Sequence, residues 1–245
     1  YFYFKSLQMK QIITQHGWCL NANMWLNLKN KFKSENFVWH DNERGYFYDE
    51  YKDAEWIKSN SIDEIKMVIS HSLGTKLINR EILRKASHAV LINSFFNFLP
   101  KNNRRNLIIR TLKKMEKKMH GRDINELIKE FLTRSFMPNK LENNMKDLIK
   151  MTNKDINSDI LLDDFKQLYL EEKDYNFFSK DCKILIIKSS NDLILEDNSI
   201  KDLINILNQI QNKNPEIIEI KGQGHIIKDL NIFKYIKKWL NEEYE

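Results

Sequence analysis

The stretch Val68-Ile69-Ser70-His71-Ser72-Leu73-Gly74 joins an apolar run, Ile65 to Ser70, directly to a helical pattern over Leu73 to Lys85. With no linker between them, the chain has to turn sharply from strand to helix. Such a turn is strained and presses backbone against backbone, so it tolerates only small neighbours. A serine at its apex, here Ser72, stands with its hydroxyl exposed at the carboxyl edge of a sheet. A strand that feeds a helix in this way belongs to an α/β chain with a mostly parallel central sheet flanked by helices.

The remaining pattern agrees. Gln11 to Gln15, Phe37 to His40, Ala89 to Asn93, Ile184 to Lys188 and Glu216 to Ile220 read as strands. Helical spacing marks Asn23 to Phe32, Ile200 to Ile210 and Ile232 to Leu240, and Leu77, Ile78, Ile82 and Leu83 give the 73–85 segment one apolar face. From Pro100 to Lys180 only helical periodicity with basic faces is legible. The expected organisation is a sheet domain over residues 1–97 and 181–245, interrupted by a helical cap over residues 98–180.

Composition narrows the class. A chain of 245 residues suffices for one α/β domain with an insertion. Hydrophobic residues at 42% and charged residues at 30% are globular values, and only 6 Gly and 3 Pro argue against a turn-rich all-β fold. No apolar run approaches the roughly 20 residues that span a bilayer. The opening Tyr1-Phe2-Tyr3-Phe4 has neither the basic flank nor the cleavage site of a leader. Cys19 and Cys182 supply no metal-ligand spacing and no disulfide framework, so the expectation is a cytoplasmic protein without a metal or a membrane partner. The net charge of +6 is densest between Lys101 and Lys140, which suits a local acidic partner better than nucleic acid.

Four chemistry-bearing segments follow predicted strands: His16-Gly17-Trp18, Ser72, Asp192 within Ser189-Ser190-Asn191-Asp192, and His225 within Gly222-Gln223-Gly224-His225. In a parallel sheet the carboxyl ends of all strands share one edge, so these residues converge. A serine hydroxyl is a weak nucleophile until an imidazole takes its proton. That imidazole needs a carboxylate to fix its tautomer. Ser72, Asp192 and His225 supply these groups in the chain order Ser, Asp, His. The backbone N–H groups of Trp18 and Leu73 stand where an oxyanion would develop. Each part also has a plainer reading: Ser72 as a helix cap, Asp192 as a turn residue with Asp197 as the alternative acid, and His225 as a local hydrogen-bonding group. His16 is expected to orient the oxyanion loop and His71 to line the pocket.

On these residues the chain resembles the α/β-hydrolases over nearly its full length. It is most similar to the pimeloyl-acyl-carrier-protein methyl ester esterases of biotin synthesis. The resemblance rests on His16-Gly17-Trp18-Cys19-Leu20-Asn21-Ala22 with Trp25, on Ser72-Leu73-Gly74, on Asp192-Leu193-Ile194-Leu195 and on Gly224-His225. It departs from the family at Ser70, where the first motif glycine is usual, at His71, commonly Trp, and at Cys19 and Thr75. The resemblance implies an α/β-hydrolase fold, Ser72 as nucleophile, Asp192 as acid and His225 as base, with Trp18 and Leu73 as oxyanion donors. It implies no cofactor, a carboxylesterase reaction and an acyl-carrier protein as partner to a monomer.

The basic run Arg104, Arg105, Arg110, Lys113, Lys114, Lys117, Lys118 and Arg122 is a candidate docking face for that acidic carrier, or a solvated helix face. Phe131 and Phe136 are candidates to line an acyl pocket with His71, or belong to the insertion's own core. Two further readings stay open: a generic small-molecule esterase or thioesterase, and a hydrolase-fold binding protein without turnover.

Overall fold

A computed structural model describes residues 9–47, 50–59, 64–121, 123–140, 155–228 and 231–242. The aromatic opening Tyr1 to Phe4 and Arg122 lie outside the described residues. Six apolar runs form strands: β1 (Met9–Gln15), β2 (Val38–Asp41), β3 (Glu64–His71), β4 (His88–Ile92), β5 (Lys183–Ser189) and β6 (Glu216–Ile220). All pair in parallel, in the order β2-β1-β3-β4-β5-β6. The helices are α1 (Leu26–Lys33), α2 (Gly74–Leu77), α3 (Arg80–Arg84), α4 (Arg105–Met119), α5 (Ile124–Phe136), α6 (Ser158–Lys166), α7 (Asp197–Ile210) and α8 (Ile232–Glu242).

A parallel sheet is covered on both faces, which is why its central strands are continuous apolar runs. Successive residues feed opposite sides. Met67, Ile69, Val90 and Ile92 pack with Phe32 of α1 and with Ile236 and Trp239 of α8. Val68, Ala89, Leu91 and Ile186 pack with Leu83 of α3 and with Leu203 and Leu207 of α7. A third apolar cluster lies over the carboxyl edge, where Trp18 and Leu73 meet Leu112 of α4, Leu132 and Phe136 of α5, and Phe165 of α6. The segment between β4 and β5 therefore packs onto the edge where the candidate residues were expected. Among the described residues it contains helices and no strand, and none of the described helices is long and apolar enough to cross a membrane.

Strands β2 and β3 flank β1 on opposite sides, so the chain reverses direction there and a crevice opens at the carboxyl ends of β1 and β3. The turn after β3 depends on close approach. A Cβ at Gly74 would sit 2.6 Å from the carbonyl oxygen of Gln15, so α2 seats against the end of β1 because residue 74 has none.

Several boundaries differ from the sequence reading, and three have a clear local cause. The single helix over Leu73 to Lys85 is two short ones, broken where Ile78 is extended. The Asn79 side chain there accepts a hydrogen bond from the Glu81 N–H at 2.8 Å and starts α3 afresh. The helix over Asn23 to Phe32 begins as a 3₁₀ turn, Ala22–Trp25, before α1. The strand over Ala89 to Asn93 stops at Ile92, because Asn93 turns left-handed with φ 43°.

Candidate active site

Ser72 occupies the turn between β3 and α2 with φ 54°, a conformation that is strained for any residue except glycine. Its N–H donates to the Ile92 carbonyl at 2.9 Å, which fixes the turn against the end of β4. Ser70, where a glycine is usual in the resembling family, fits because its hydroxyl lies 2.7 Å from the Thr75 hydroxyl. The two departures from the motif satisfy each other.

Ser72 Oγ lies 2.8 Å from Nε2 of His225, and Nδ1 of the same ring lies 2.6 Å from Oδ2 of Asp192. The three residues expected from their order thus form one hydrogen-bonded line, although 153 positions separate Ser72 from His225. Asp192 is held by its own loop, its Oδ1 accepting the N–H groups of Ile194 and Leu195 at 2.8 and 2.9 Å. Burial alone would raise its carboxyl. The His225 imidazole and those two N–H groups outweigh it and hold the carboxyl below its ordinary value. Asp197, the alternative acid, instead opens α7.

His225 is positioned through its backbone. The His225 carbonyl accepts Nε2–H of His71 at 2.9 Å and Nδ2–H of Asn93 at 2.7 Å. Asn93 also donates to the Ser189 hydroxyl at 2.9 Å and accepts the Ser189 N–H at 2.9 Å. One buried amide therefore ties the ends of β4 and β5 to the histidine loop. Sequence reasoning missed Asn93. Its signal was an amide closing a fully apolar strand. Gly224, just before His225, leaves room for the end of α5, since a Cβ there would lie 2.1 Å from the Met137 carbonyl oxygen.

Across the crevice runs the loop from His16 to Ala22. Trp18 is anchored by its indole, which donates to the Leu161 carbonyl at 2.7 Å and packs on Phe131 and Phe165. Among the described residues neither the Trp18 N–H nor the Leu73 N–H donates a hydrogen bond. His16 is buried, with Nδ1 2.9 Å from the Gly17 carbonyl and Nε2 3.1 Å from Glu43. Beside this loop a polar cluster joins the end of β2 to α6: Arg44 donates twice to Asp164, at 2.7 and 2.8 Å, and Tyr46 donates to the same carboxylate at 2.5 Å. None of Glu43, Arg44, Tyr46 and Asp164 was singled out in the sequence. Burial pushes the Cys19 thiol far above its ordinary value, so it stays neutral.

The pocket candidates divide. His71 and Phe136 line one cleft of about 100 Å³ with Met24, Trp25 and Ile226, whereas Phe131 packs against the Trp18 indole instead. Burial and the neighbouring His225 push the His71 imidazole down to about 3, so it is neutral. Of the basic candidates, Arg104 pairs with Glu196 and Lys118 with Glu126 and Glu130. Arg105 is half-buried at the start of α4. Arg110, Lys113, Lys114 and Lys117 are exposed along α4, and among the described residues no acid pairs with them. No group of three or more His, Cys, Asp or Glu among the described residues is arranged to hold a metal ion.

No family model and no curated protein sequence matches the chain. Solved structures do. A bromoperoxidase from Bacillus anthracis is similar over 97% of this chain and 93% of its own, with TM-score 0.69 and 14% identity. A carboxylesterase from the thaumarchaeon Nitrososphaera gargenis is similar over 95% and 90%, with TM-score 0.66 and 13% identity. The enol-lactonase from Burkholderia xenovorans LB400 is similar over 96% and 92%, with TM-score 0.62 and 14% identity. The shared architecture, a parallel sheet flanked by helices, is the α/β-hydrolase fold.

Proposed function

We propose that this chain is a serine carboxylesterase and that its substrate is a methyl ester of a pimeloyl chain carried on acyl-carrier protein. The observation that carries the esterase reading is the line from Ser72 Oγ through His225 to Asp192, with the serine held on a strained strand-to-helix turn. In this reading His225 Nε2 takes the Ser72 proton as Oγ attacks the ester carbonyl. Asp192 stabilises the imidazolium that forms, and the Trp18 and Leu73 N–H groups hold the tetrahedral oxyanion. Collapse breaks the bond to the methoxy oxygen, which leaves as methanol with the proton from His225. Water then attacks the acyl-enzyme, with His225 again as base, and frees the carboxylate and Ser72.

The carrier half of the proposal draws on different support. Arg110, Lys113, Lys114 and Lys117 present positive charge with no acidic partner among the described residues, on the segment that packs over the site. An acidic carrier meeting that face is steered and oriented at little desolvation cost. The family resemblance of the His16 to Ala22 segment points to the same substrate. A second reading, a generic esterase on small molecules, is favoured by the fold's occurrence in a carboxylesterase and an enol-lactonase.

The test is methanol release from pimeloyl-acyl-carrier-protein methyl ester, beside free dimethyl pimelate and a p-nitrophenyl ester, with Ser72→Ala as control. Fast release that needs Ser72 and the carrier supports the full proposal. Ser72-dependent cleavage of the free esters alone discards the carrier, and silence on all three leaves a binding protein of hydrolase fold.

A further inference from the structure

We propose that Glu43 is the positioning residue of the oxyanion loop, closing the segment from His16 to Ala22 at both ends with one carboxylate. This rests on the esterase reading, in which the Trp18 N–H lies within that loop and serves the oxyanion. Oε2 of Glu43 accepts the Ala22 N–H at 2.8 Å, at the far end of the segment. Oε1 lies 3.1 Å from Nε2 of His16, at the near end, and accepts the Gly45 N–H at 3.1 Å. The carboxylate thus spans the loop without touching Ser72, Asp192 or His225.

The loop needs an outside restraint. Cys19, the residue after Trp18, sits at φ 59°, in the left-handed region that favours glycine. Left alone, that residue relaxes to an extended or right-handed conformation and carries the preceding N–H with it. An oxyanion donor is useful only when aimed before the charge develops. Pinning both flanks of the strained residue supplies that aim.

Glu43 is itself well anchored. Its backbone exchanges two 2.8 Å hydrogen bonds with Lys52, and the next residue, Arg44, is fixed by the two hydrogen bonds it donates to Asp164. Burial would raise the carboxyl, but the His16 contact and the Ala22 and Gly45 N–H groups hold it below its ordinary value. A glutamine offers one acceptor oxygen where the carboxylate uses two, so it cannot accept both the Ala22 and the Gly45 N–H.

The experiment compares Glu43→Gln with the wild type in the full chain, using p-nitrophenyl butyrate as substrate and an alkyl trifluoromethyl ketone as tetrahedral-adduct inhibitor. Losing one oxyanion donor outright costs on the order of 10²–10³-fold in kcat, so a misaimed one is expected to cost about 10–10²-fold. KM and the pH profile stay near wild type, and the inhibitor weakens by the same factor as kcat/KM. Glu43→Asp keeps the charge but withdraws the oxygens by one methylene. It carries the same expectation and serves if the glutamine variant does not fold. Unchanged kcat, or a lowered kcat with unchanged inhibitor affinity, overturns the proposal while leaving the esterase reading intact. Absence of Ser72-dependent turnover in the wild type overturns the esterase reading itself.

Discussion

The loops at the carboxyl edge of the sheet and the helical segment between β4 and β5 are neighbours built on opposite principles. At the edge, buried polar groups are tied to specific partners. Asn93 is tied to Ser189 and to the histidine loop, Asp192 to two N–H groups and His225, and Ser70 to Thr75. On the segment, α4 buries only Leu112 and Met119 and turns a row of unneutralised bases outward. The edge holds Asn93 and Asp192 through several hydrogen bonds each, as bond-making chemistry needs. The segment offers charge without fixed partners, as an encounter with a mobile acidic surface needs. On the proposed function, reaction and recognition would thus rest on different physics.

The sharpest way to break this contrast is at Ser72. If the edge alone does the chemistry, Ser72→Ala should lower kcat by at least about 10⁴-fold on any ester, carrier-bound or free. Steady-state kinetics on a p-nitrophenyl ester checks it. A residual rate within about tenfold of wild type would move the chemistry elsewhere.

The sequence made the edge legible and left the joint between the two regions hidden. Ser72, Asp192 and His225 each follow an apolar run, and parallel strands deliver such positions to one edge whatever lies between them. The Ile78 break was invisible because an asparagine cap competes locally with a good apolar face. Arg44 and Asp164 lie 120 positions apart in charge-rich surroundings, and nothing in either neighbourhood marks them as a buried pair. Burial of a polar residue is decided by its partner, which periodicity does not encode.

That joint gives the next largest effect. Arg44→Met leaves Asp164 buried with only the Tyr46 hydroxyl, and breaking a buried pair in this way costs about 3–5 kcal/mol. For a chain of this size that lowers Tm by about 10 °C in calorimetry. Lys166→Ala, which removes an exposed pair with Asp163 one turn along the same helix, should cost less than about 1 kcal/mol. Equal losses in the two variants would show that the joint is no stronger than the surface.

A smaller effect comes from the edge through pH. His71 is held near 3 in the fold by burial and by His225, against about 6.5 when unfolded. Below pH 6.5 the unfolded chain takes up a proton that the folded one refuses. Stability therefore falls as pH drops, with a slope of up to about 1.4 kcal/mol per unit. Asp192 and Glu43 have depressed values, so their contribution is present above the ordinary carboxylate range and is lost only at lower pH. Denaturant titrations between pH 6.5 and 5 consequently isolate the histidines. His71→Phe should flatten the slope by more than His40→Gln, since His40 is also lowered but is half-exposed. An unchanged slope in His71→Phe would mean that the ring is protonated in the fold.

The smallest effect belongs to the basic row, and it tests the contrast from the other side. Lys113, Lys114 and Lys117 are exposed on α4, so exchanging all three for Glu disturbs no buried partner and should leave Tm within a few degrees. Like charges facing an acidic carrier slow encounter, so kcat/KM for the carrier-bound ester should fall by about tenfold at low salt. The deficit should shrink as ionic strength rises toward about 0.15 M, where the Debye length is about 8 Å. Turnover of a free p-nitrophenyl ester should not change, because no step at the edge touches those side chains. A matching loss on both esters would show that the segment's charge reaches the chemistry after all. No loss on either would leave the basic row a solvated face and return the substrate to the small-molecule esters.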